Sequence, residues 1–221
     1  MITEDPSAVP RPAQPRDHWP RYYDVTIDRP PWRTVLDAMA RFEAEDSAMR
    51  AVPRMEPRVA VDLGCGAGRD ARELLRRGWR VVAIDREPQA IIRLRAATPP
   101  EDLPRLSSSV ESLDDVHVPA CDLVNASLSL PFLDADAWAH TWREIRGAIR
   151  PGGRFAAMLF GDRDASAGDP SMSCPPPDTL RALLDGFEIE LWEEREDPDG
   201  RTALGERHHV HLVEVVARRP A

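Results

Sequence analysis

Residues 59–70 read Val-Ala-Val-Asp-Leu-Gly-Cys-Gly-Ala-Gly-Arg-Asp. The run that leads into the glycines, Arg58–Leu63, has the composition of a short strand. The run that follows them, Asp70–Arg77, carries apolar residues at helical spacing. Glycines between a strand and a helix let the backbone turn tightly and approach a ligand closely. The stretch therefore predicts a ligand-binding loop at the end of a strand.

Strand-like and helix-like segments alternate on both sides of this loop. The predicted strands are 58–63, 80–84, 106–110, 121–127, 154–160, 187–193 and 208–217, and the predicted helices are 32–42, 70–77, 88–94, 135–149 and 178–184. Alternation of this kind predicts an open, doubly wound α/β fold with a mostly parallel sheet. The last two strands have no helix between them, so we expect them to pair as an antiparallel hairpin. Pro151-Gly152-Gly153 is expected to end one helix and open the next strand.

A chain of 221 residues fits a single domain. Residues 1–18 are Pro-rich and polar, which predicts a flexible tail. We divide the rest into an N-terminal helical cap (19–57), a ligand-binding half (58–161) and a C-terminal half with the hairpin (162–221). Residues 43–57 are charged and interrupted by prolines, and are expected to be a connector.

Composition excludes several classes. The net charge is −9, from 38 acidic and 29 basic residues, which argues against nucleic-acid partners and polybasic membrane binding. All of the bases are Arg. Three cysteines without metal-type spacing predict reduced thiols, a cytoplasmic location and no metal site. The clearest apolar run, 155–160, is too short to cross a membrane.

Asp85 stands at the tip of the next predicted strand, where a carboxylate can accept hydrogen bonds from ribose hydroxyls. Two cofactor classes remain open at this point. Gly66-x-Gly68-x-x-Ala71 satisfies the dinucleotide pattern, which keeps an NAD-dependent oxidoreductase as an alternative. Asp62, however, places a carboxylate beside the loop, which favours an amino-acid ammonium over a phosphate.

With these residues in hand, the sequence resembles the class I S-adenosylmethionine-dependent methyltransferases. The first motif is VDLGCGAGRDA, the second is Asp85 within VVAIDREP, and IRPGGRFAAML resembles the segment leading into the fifth strand. The resemblance covers residues 20–218 and implies a Rossmann-like fold. More narrowly, YYDVTIDRPPWRTVL and NASLSLPFLD are similar to tellurite-resistance-type and related small-molecule methyltransferases.

The resemblance also implies cofactor contacts. Asp62 would orient the ammonium, the three glycines would lie under the methionine part, and Asp85 would hold the ribose. The other implied contacts are Arg86 beside the adenine, Val110 and Glu111 at its edge, Asn125 and Ser127 near the methionine and the methyl group, and the glycines themselves, Gly64, Gly66 and Gly68.

Four more residues are candidates from their chemistry. Tyr22 precedes the first predicted helix and would belong to an aromatic lid over a cationic sulfonium, or would anchor that helix. Arg29 would pair with a carboxylate, or remain solvated. Arg207 and His209 begin the last strand, whose start lies at the ligand-binding end of the sheet. His209 is a candidate base; with His211 it would otherwise form an edge-strand surface, or half of a metal site.

The function expected from these features is methyl transfer from S-adenosylmethionine to a small-molecule nucleophile, which would be a thiol, a chalcogen anion, a hydroxyl or an amine. The segment Asn125-Ala-Ser-Leu128 lacks the Asn/Asp-Pro-Pro-aromatic pattern of enzymes that methylate nucleobase or glutamine amide nitrogens. Besides the oxidoreductase, a non-catalytic cofactor-binding module that acts through a protein partner remains an alternative. The oligomeric state is left open.

Overall fold

The structure is a computed structural model that describes residues 18–48 and 56–221. The predicted tail, apart from His18, and residues 49–55 of the predicted connector lie outside the described residues. The strands are β1 (Val59–Leu63), β2 (Arg80–Asp85), β3 (Leu106–Val110), β4 (Cys121–Ser127), β5 (Ile149–Phe160), β6 (Glu188–Asp197) and β7 (Val210–Arg218). The helices are α1 (His18–Thr26), α2 (Arg33–Ala48), α3 (Arg69–Arg76), α4 (Pro88–Ala97), α5 (Ala135–Ala148) and α6 (Pro177–Leu183).

All seven strands form one sheet, in the order β3-β2-β1-β4-β5-β7-β6. The first five strands pair in parallel, and β7 runs antiparallel to both β5 and β6. The predicted fold class, a mostly parallel seven-stranded sheet with an antiparallel C-terminal strand, is confirmed. The strand order reverses between β1 and β4, which is where open α/β sheets bind ligands.

The core lies on both faces of the sheet. Apolar residues of α2, α3 and α4, such as Met39, Leu74 and Leu94, pack on one face. Residues of α5 and α6, such as Ile145 and Leu180, pack on the other. Each fully buried aliphatic side chain of this kind contributes roughly 1.5–3 kcal/mol. The two packed faces hold the sheet rigid, so the loops at its carboxyl edge have a fixed frame.

The N-terminal segment is more helical than predicted. Residues 18–26 form α1, so Tyr22 lies within a helix and does not precede the first one. Helix α2 continues to Ala48, so the prediction of a connector is wrong for residues 43–48. Ion pairs to the body of the protein explain the difference: Glu43 pairs with Arg77 at 2.9 Å, and Asp46 pairs with Arg58. Charged residues such as Glu43 and Asp46 are as compatible with the outer face of a packed helix as they are with a loop.

Strand β5 is longer than predicted because it runs through the Pro151-Gly152-Gly153 sequence. Helix α5 ends at Ala148 and β5 begins at Ile149. The pairing of β4 with β5 shifts register between Cys121 and Leu123, which is a β-bulge. Gly153 allows it, because a Cβ there would lie 2.8 Å from the carbonyl oxygen of Asp122. The glycine pair therefore bends a strand and does not separate two elements.

A buried guanidinium on β5 links α2 to β6, which lies at one edge of the sheet. Arg154 on β5 is 1% exposed. Its Nε lies 2.7 Å from Glu190 Oε2 on β6, and its Nη2 lies 2.5 Å from Glu45 Oε1 on α2. The two carboxylates raise the pKa of the guanidinium further, against the opposing effect of its burial, so it stays charged. One arginine thus joins three elements.

Candidate cofactor site

The glycine loop after β1 has the left-handed backbone that glycine allows. Gly64, Gly66 and Gly68 have φ angles of 70°, 53° and 85°. A Cβ at Gly64 would lie 2.4 Å from the Ser129 Cβ, and one at Gly68 would lie 2.2 Å from a methyl group of Leu94. A Cβ at Gly66 would meet only the Tyr23 ring, at 3.5 Å. Two of the glycines are therefore required by packing, and Gly66 presents a bare backbone toward α1.

Asp85, at the end of β2, holds the loop in place. Its Oδ2 accepts a hydrogen bond from the Gly66 N–H at 2.8 Å, and its Oδ1 accepts one from the Glu87 N–H at 2.9 Å. Burial raises the pKa of this carboxyl. The structure places Val110 opposite Asp85 in the β2–β3 pairing, and the Glu111 N–H donates to the Asp85 carbonyl at 3.0 Å. The residues predicted for the ribose and the adenine edge thus lie together.

Asp62 and Asn125 form a buried polar chain with Asp70. The Asn125 Nδ2 donates to Asp62 Oδ1 at 2.8 Å and to Asp70 Oδ2 at 3.0 Å. Asp70 Oδ1 accepts from the Trp32 N–H at 2.9 Å, which joins the start of α2 to the site. Ser127 Oγ donates to Asn125 Oδ1 at 3.1 Å. The Asn125 side chain is therefore engaged in bridging two carboxyl groups.

The two carboxyl groups are too close and too buried to ionise at their ordinary pH. Burial, together with the neighbouring Asp70, raises the pKa of Asp62 to about 8. Burial also raises the pKa of Asp70. Asp62 Oδ2 is buried, and no described residue donates a hydrogen bond of ordinary geometry to it, which is costly for a carboxyl oxygen. A cationic donor such as an ammonium group would satisfy this oxygen and stabilise the ionised form, so the site fits an amino-acid group.

Helix α1 covers the loop with aromatic rings. Tyr23 packs against Gly66, and Trp19 lies 5.7 Å from Tyr22 and 6.3 Å from Tyr23, measured between ring centroids. Burial raises the pKa of Tyr22. The Arg86 guanidinium lies 6.0 Å from the Trp19 ring centroid, within cation–π range. Tyr22 and Arg86 thus both lie near the Trp19 ring, and their cofactor contacts stay a prediction.

Three of the predicted site residues have hydrogen-bond or ion-pair partners that are not part of the glycine loop. Arg29 donates to the carbonyls of Val25 at 3.1 Å and Ala203 at 3.3 Å. Arg207 is 78% exposed and pairs with Asp199. His209 pairs with Glu196 on β6 at 2.9 Å.

The reading of His211 as an edge-strand surface is wrong. Its ring is buried, because β7 lies inside the sheet and β6 forms the edge. The Arg163 N–H and guanidinium contact its two ring nitrogens at 3.2 and 3.0 Å. Among residues 18–48 and 56–221, no group of three His, Cys, Asp or Glu residues is arranged to hold a metal ion.

Sequence reasoning missed Asp70, Trp32 and a His208–Asp164 pair. Asp70 stands in the quoted glycine stretch, and its place in the first turn of α3, two residues after Gly68, was a usable signal. The Trp32 contribution is a backbone N–H, which no side-chain pattern reveals. Asp164 and His208 are 44 residues apart and meet only through the pairing of β5 with β7.

Comparison with known proteins agrees with this geometry. The methyltransferase domain family matches residues 61–157. Methyltransferase ptaI of Pestalotiopsis fici is 32% identical over 120 residues, which are 50% of this chain and 34% of that protein. This chain spans about a third to two fifths of the length of the first curated relatives it matches.

Two solved structures share the fold. TehB from Haemophilus influenzae superposes with a TM-score of 0.63 at 16% identity, covering 92% of this chain and 66% of that one. The 1,6-didemethyltoxoflavin-N1-methyltransferase of Burkholderia thailandensis, solved with S-adenosylhomocysteine, gives 0.60 at 20% identity, covering 100% and 99%.

Residues 61–157 match the methyltransferase domain family, and the structural neighbours are S-adenosylmethionine-dependent methyltransferases. The resemblance stated from the sequence is therefore confirmed. S-adenosylmethionine, the expected cofactor, is the cofactor of this class. Within the class, the tellurite-resistance-type protein TehB is among the structural neighbours. In the part of the chain that is described, none of the helices has the length and apolar character to cross a bilayer.

Proposed function

We propose that this protein transfers a methyl group from S-adenosylmethionine to a small-molecule nucleophile. The observation that carries the proposal is the unpaired, buried Oδ2 of Asp62 beside a left-handed glycine loop. An ammonium group is the ligand feature that such an oxygen favours. The match of residues 61–157 to the methyltransferase domain family supports the same cofactor.

The bound cofactor would supply an already activated methyl group on a sulfonium, so the chain's own task is positioning. Asp62, kept in place by Asn125, would orient the ammonium group. Asp85 would bind the ribose and hold Gly66 in its left-handed conformation. The remaining cofactor contacts in this proposal are Gly64 and Gly68 in the loop, Arg86, Val110 and Glu111 around the adenine, Ser127 near the methionine part, and Tyr22 and Arg29 at the N-terminal side.

Fold neighbours and charge support a small-molecule acceptor. The fold neighbours include a methyltransferase that acts on the small molecule 1,6-didemethyltoxoflavin. A net charge of −9 favours neutral or cationic acceptors by long-range steering and disfavours nucleic acid. We propose a thiol, chalcogen anion, hydroxyl or amine acceptor and a cytoplasmic location. His209 and Arg207, at the entry to β7, remain sequence-based candidates for the acceptor side. The proposed organisation is a tail (1–18) and one domain (19–221) of cap, cofactor half and C-terminal half.

The test is a titration of the full chain with S-adenosylhomocysteine, S-adenosylmethionine and NAD. Calorimetry measures the affinity, and thermal unfolding measures the shift in the unfolding temperature. A ligand at about 100 times its Kd stabilises by ~2.7 kcal/mol, which is roughly 5–11 °C for a protein of this size. The first two ligands should give this shift, and NAD should give none. A shift with NAD alone would indicate an oxidoreductase, and no shift with any of the three would indicate a module that acts through a protein partner.

Asp85→Asn supplies the variant for this titration. The asparagine keeps one side-chain oxygen that can accept the hydrogen bond from the Gly66 N–H, and it removes the negative charge. S-adenosylhomocysteine should therefore bind at least tenfold more weakly. Asp122→Asn is the matched control, because Asp122 also accepts from a backbone N–H, that of Val59 at 2.8 Å, at the amino end of the same sheet. Equal affinities of the two variants would contradict the ribose role.

A further inference from the structure

An imidazole and a buried carboxylate meet where β5 ends and β7 begins. His208 Nε2 lies 2.8 Å from Asp164 Oδ1. The Asp164 side chain is 0% exposed, and the His208 side chain is 20% exposed. The imidazole therefore has one nitrogen on a fixed partner and part of its surface open to a small molecule.

Asp164 is held in place by the backbone around it. The Ser166 N–H donates to its Oδ1 at 2.9 Å, and the His211 N–H donates to its Oδ2 at 3.0 Å. A carboxylate held this way accepts a hydrogen bond from the His208 Nε2–H and fixes the ring orientation. The other ring nitrogen, Nδ1, makes no hydrogen bond to any described residue. It is thus the nitrogen left to act on a ligand.

A row of rings connects this pair to the glycine loop. Starting from Tyr23 at Gly66, successive centroid distances are 6.3 Å to Trp19, 5.4 Å to Phe132, 6.4 Å to Phe160 and 6.4 Å to the His208 ring. Phe160 ends β5, two residues after Met158, which pairs with Ser127. The row therefore crosses the carboxyl edge of the sheet from the proposed cofactor site to the imidazole.

We propose that His208 is the proton acceptor for an aromatic or similarly flat acceptor that carries a hydroxyl group, and that Asp164 is its positioning residue. The inference rests on the proposed methyl transfer. The acceptor oxygen forms the new bond to the methyl carbon, the bond from that carbon to the sulfonium sulfur breaks with its electron pair on sulfur, and the hydroxyl proton passes to Nδ1. The Asp164 carboxylate stabilises the imidazolium that forms, as the acidic residue that orients a catalytic histidine does in other enzymes.

Neighbouring groups do not compete for this role. Burial, with the Asp164 and Asp169 charges, raises the pKa of the Cys174 thiol to about 11, so it stays protonated. His209 is 38% exposed, and its partner Glu196 also binds Arg163. His211 is enclosed and contacts Arg163 through both nitrogens. Of the histidines 208, 209 and 211, His208 is the one whose ring contacts both the buried Asp164 carboxylate and Phe160 in the aromatic row.

The first measurement needs no turnover. Nitrogen-15 NMR of the histidine-labelled full chain with S-adenosylhomocysteine should show neutral His208 protonated at Nε2 and unprotonated at Nδ1. Adding catechol as the probe should shift the His208 Nδ1 resonance. It should leave His117 unmoved, which pairs with Glu144 at 2.8 Å but is 87% exposed. A proton on Nδ1, or no response to catechol, would overturn the proposal.

The second measurement uses His208→Gln, whose amide N–H keeps the hydrogen bond to Asp164 while removing the proton-accepting nitrogen. Single-turnover reactions with S-adenosylmethionine should lose about 100-fold with catechol and less than threefold with thiophenol, which ionises without help. His117→Gln is the matched control and should equal the unchanged protein. No reaction with catechol, equal losses on both probes, or a loss in His209→Gln instead would overturn the role of His208. Failure of S-adenosylhomocysteine to bind would count against the proposed function itself.

Discussion

At the scale of single residues, the site buries carboxyl groups together, which folding alone does not favour. Asp62 and Asp70 share one amide donor, Asn125 Nδ2, and Asp62 Oδ2 accepts no hydrogen bond of ordinary geometry within residues 18–48 and 56–221. Such a group costs stability in the free protein and gains a partner when a cation binds. Ligand binding and the ionisation of Asp62 are therefore linked. A carboxyl group whose burial reduces the stability of the free protein in this way indicates a binding site.

Stability of the ligand-free protein should fall as the pH rises. The pKa of Asp62 is raised from 3.8 to about 8, so its stabilising share is complete below 3.8 and is lost as the pH passes through about 8. One proton gives a slope of at most ~1.4 kcal/mol per pH unit. Urea unfolding at several pH values between about 5 and 8 measures it. Asp62→Asn should flatten the slope, leaving the parts due to Asp70 and Asp85, whose pKa values burial also raises. Asp122→Asn should not flatten it, and an unchanged slope in Asp62→Asn would contradict the assignment.

At the scale of elements, one ion-pair network fixes how α2 lies on the sheet. Arg154 joins β5 to α2 through Glu45 and to β6 through Glu190. Its guanidinium also lies 4.3 Å from the Phe42 ring centroid, so charge and apolar packing act at the same point. Trp32 directly precedes α2, and its N–H donates to Asp70. The orientation of this helix therefore affects the position of Asp70 in the cofactor site.

Replacing Arg154 with Met should destabilise the protein by ~2–4 kcal/mol. The loss leaves Glu45 and Glu190 without their cation, as in broken buried pairs, but Glu45 is partly exposed and regains some hydration. Chemical denaturation measures the change. Arg76→Met is the control, because Arg76 pairs with Glu73 on the surface of α3 and should change the free energy of unfolding far less than Arg154→Met does. Equal losses would show that the network adds nothing.

The same elements show what sequence can and cannot predict. Strand and glycine patterns depend on local rules, so β3, β4 and the loop from Gly64 to Gly68 lie where the pattern puts them. Helix α1, the end of α2 and the course of β5 depend on distant partners such as Arg77 and Asp122. The Asp62–Asn125 contact follows from parallel strands that end together, whereas Asp164 with His208 requires the insertion of β7, which no local pattern reports.

At the scale of the whole molecule, the position of each strand in the sheet determines how readily that strand opens. β1 and β4 lie at the centre, covered on both faces, whereas β3 and β6 are edges with many exposed residues. Edge strands open at lower free energy than central ones because fewer contacts hold them. We expect the frame of the cofactor site to be the most protected part of the protein.

Hydrogen exchange read by mass spectrometry should follow this order. Amides of β1 and β4 should exchange slowest, and those of β3 and β6 fastest. S-adenosylhomocysteine should slow exchange chiefly in residues 64–68 and in α1, since these meet at Gly66. Fast exchange in β1, or ligand protection confined to β6, would contradict both the order and the site.

The position of β7 also dictates a sequence of events during folding. Residues 188–197 follow β5 along the chain, yet their neighbour in the sheet is β7, which comes later. Until residues 210–218 pair with β5, the apolar edge of β5 is unprotected, and open edges of this kind recruit other chains. Pairing between distant segments is also slow to form. The chain is therefore most prone to aggregate just before its last strand enters the sheet.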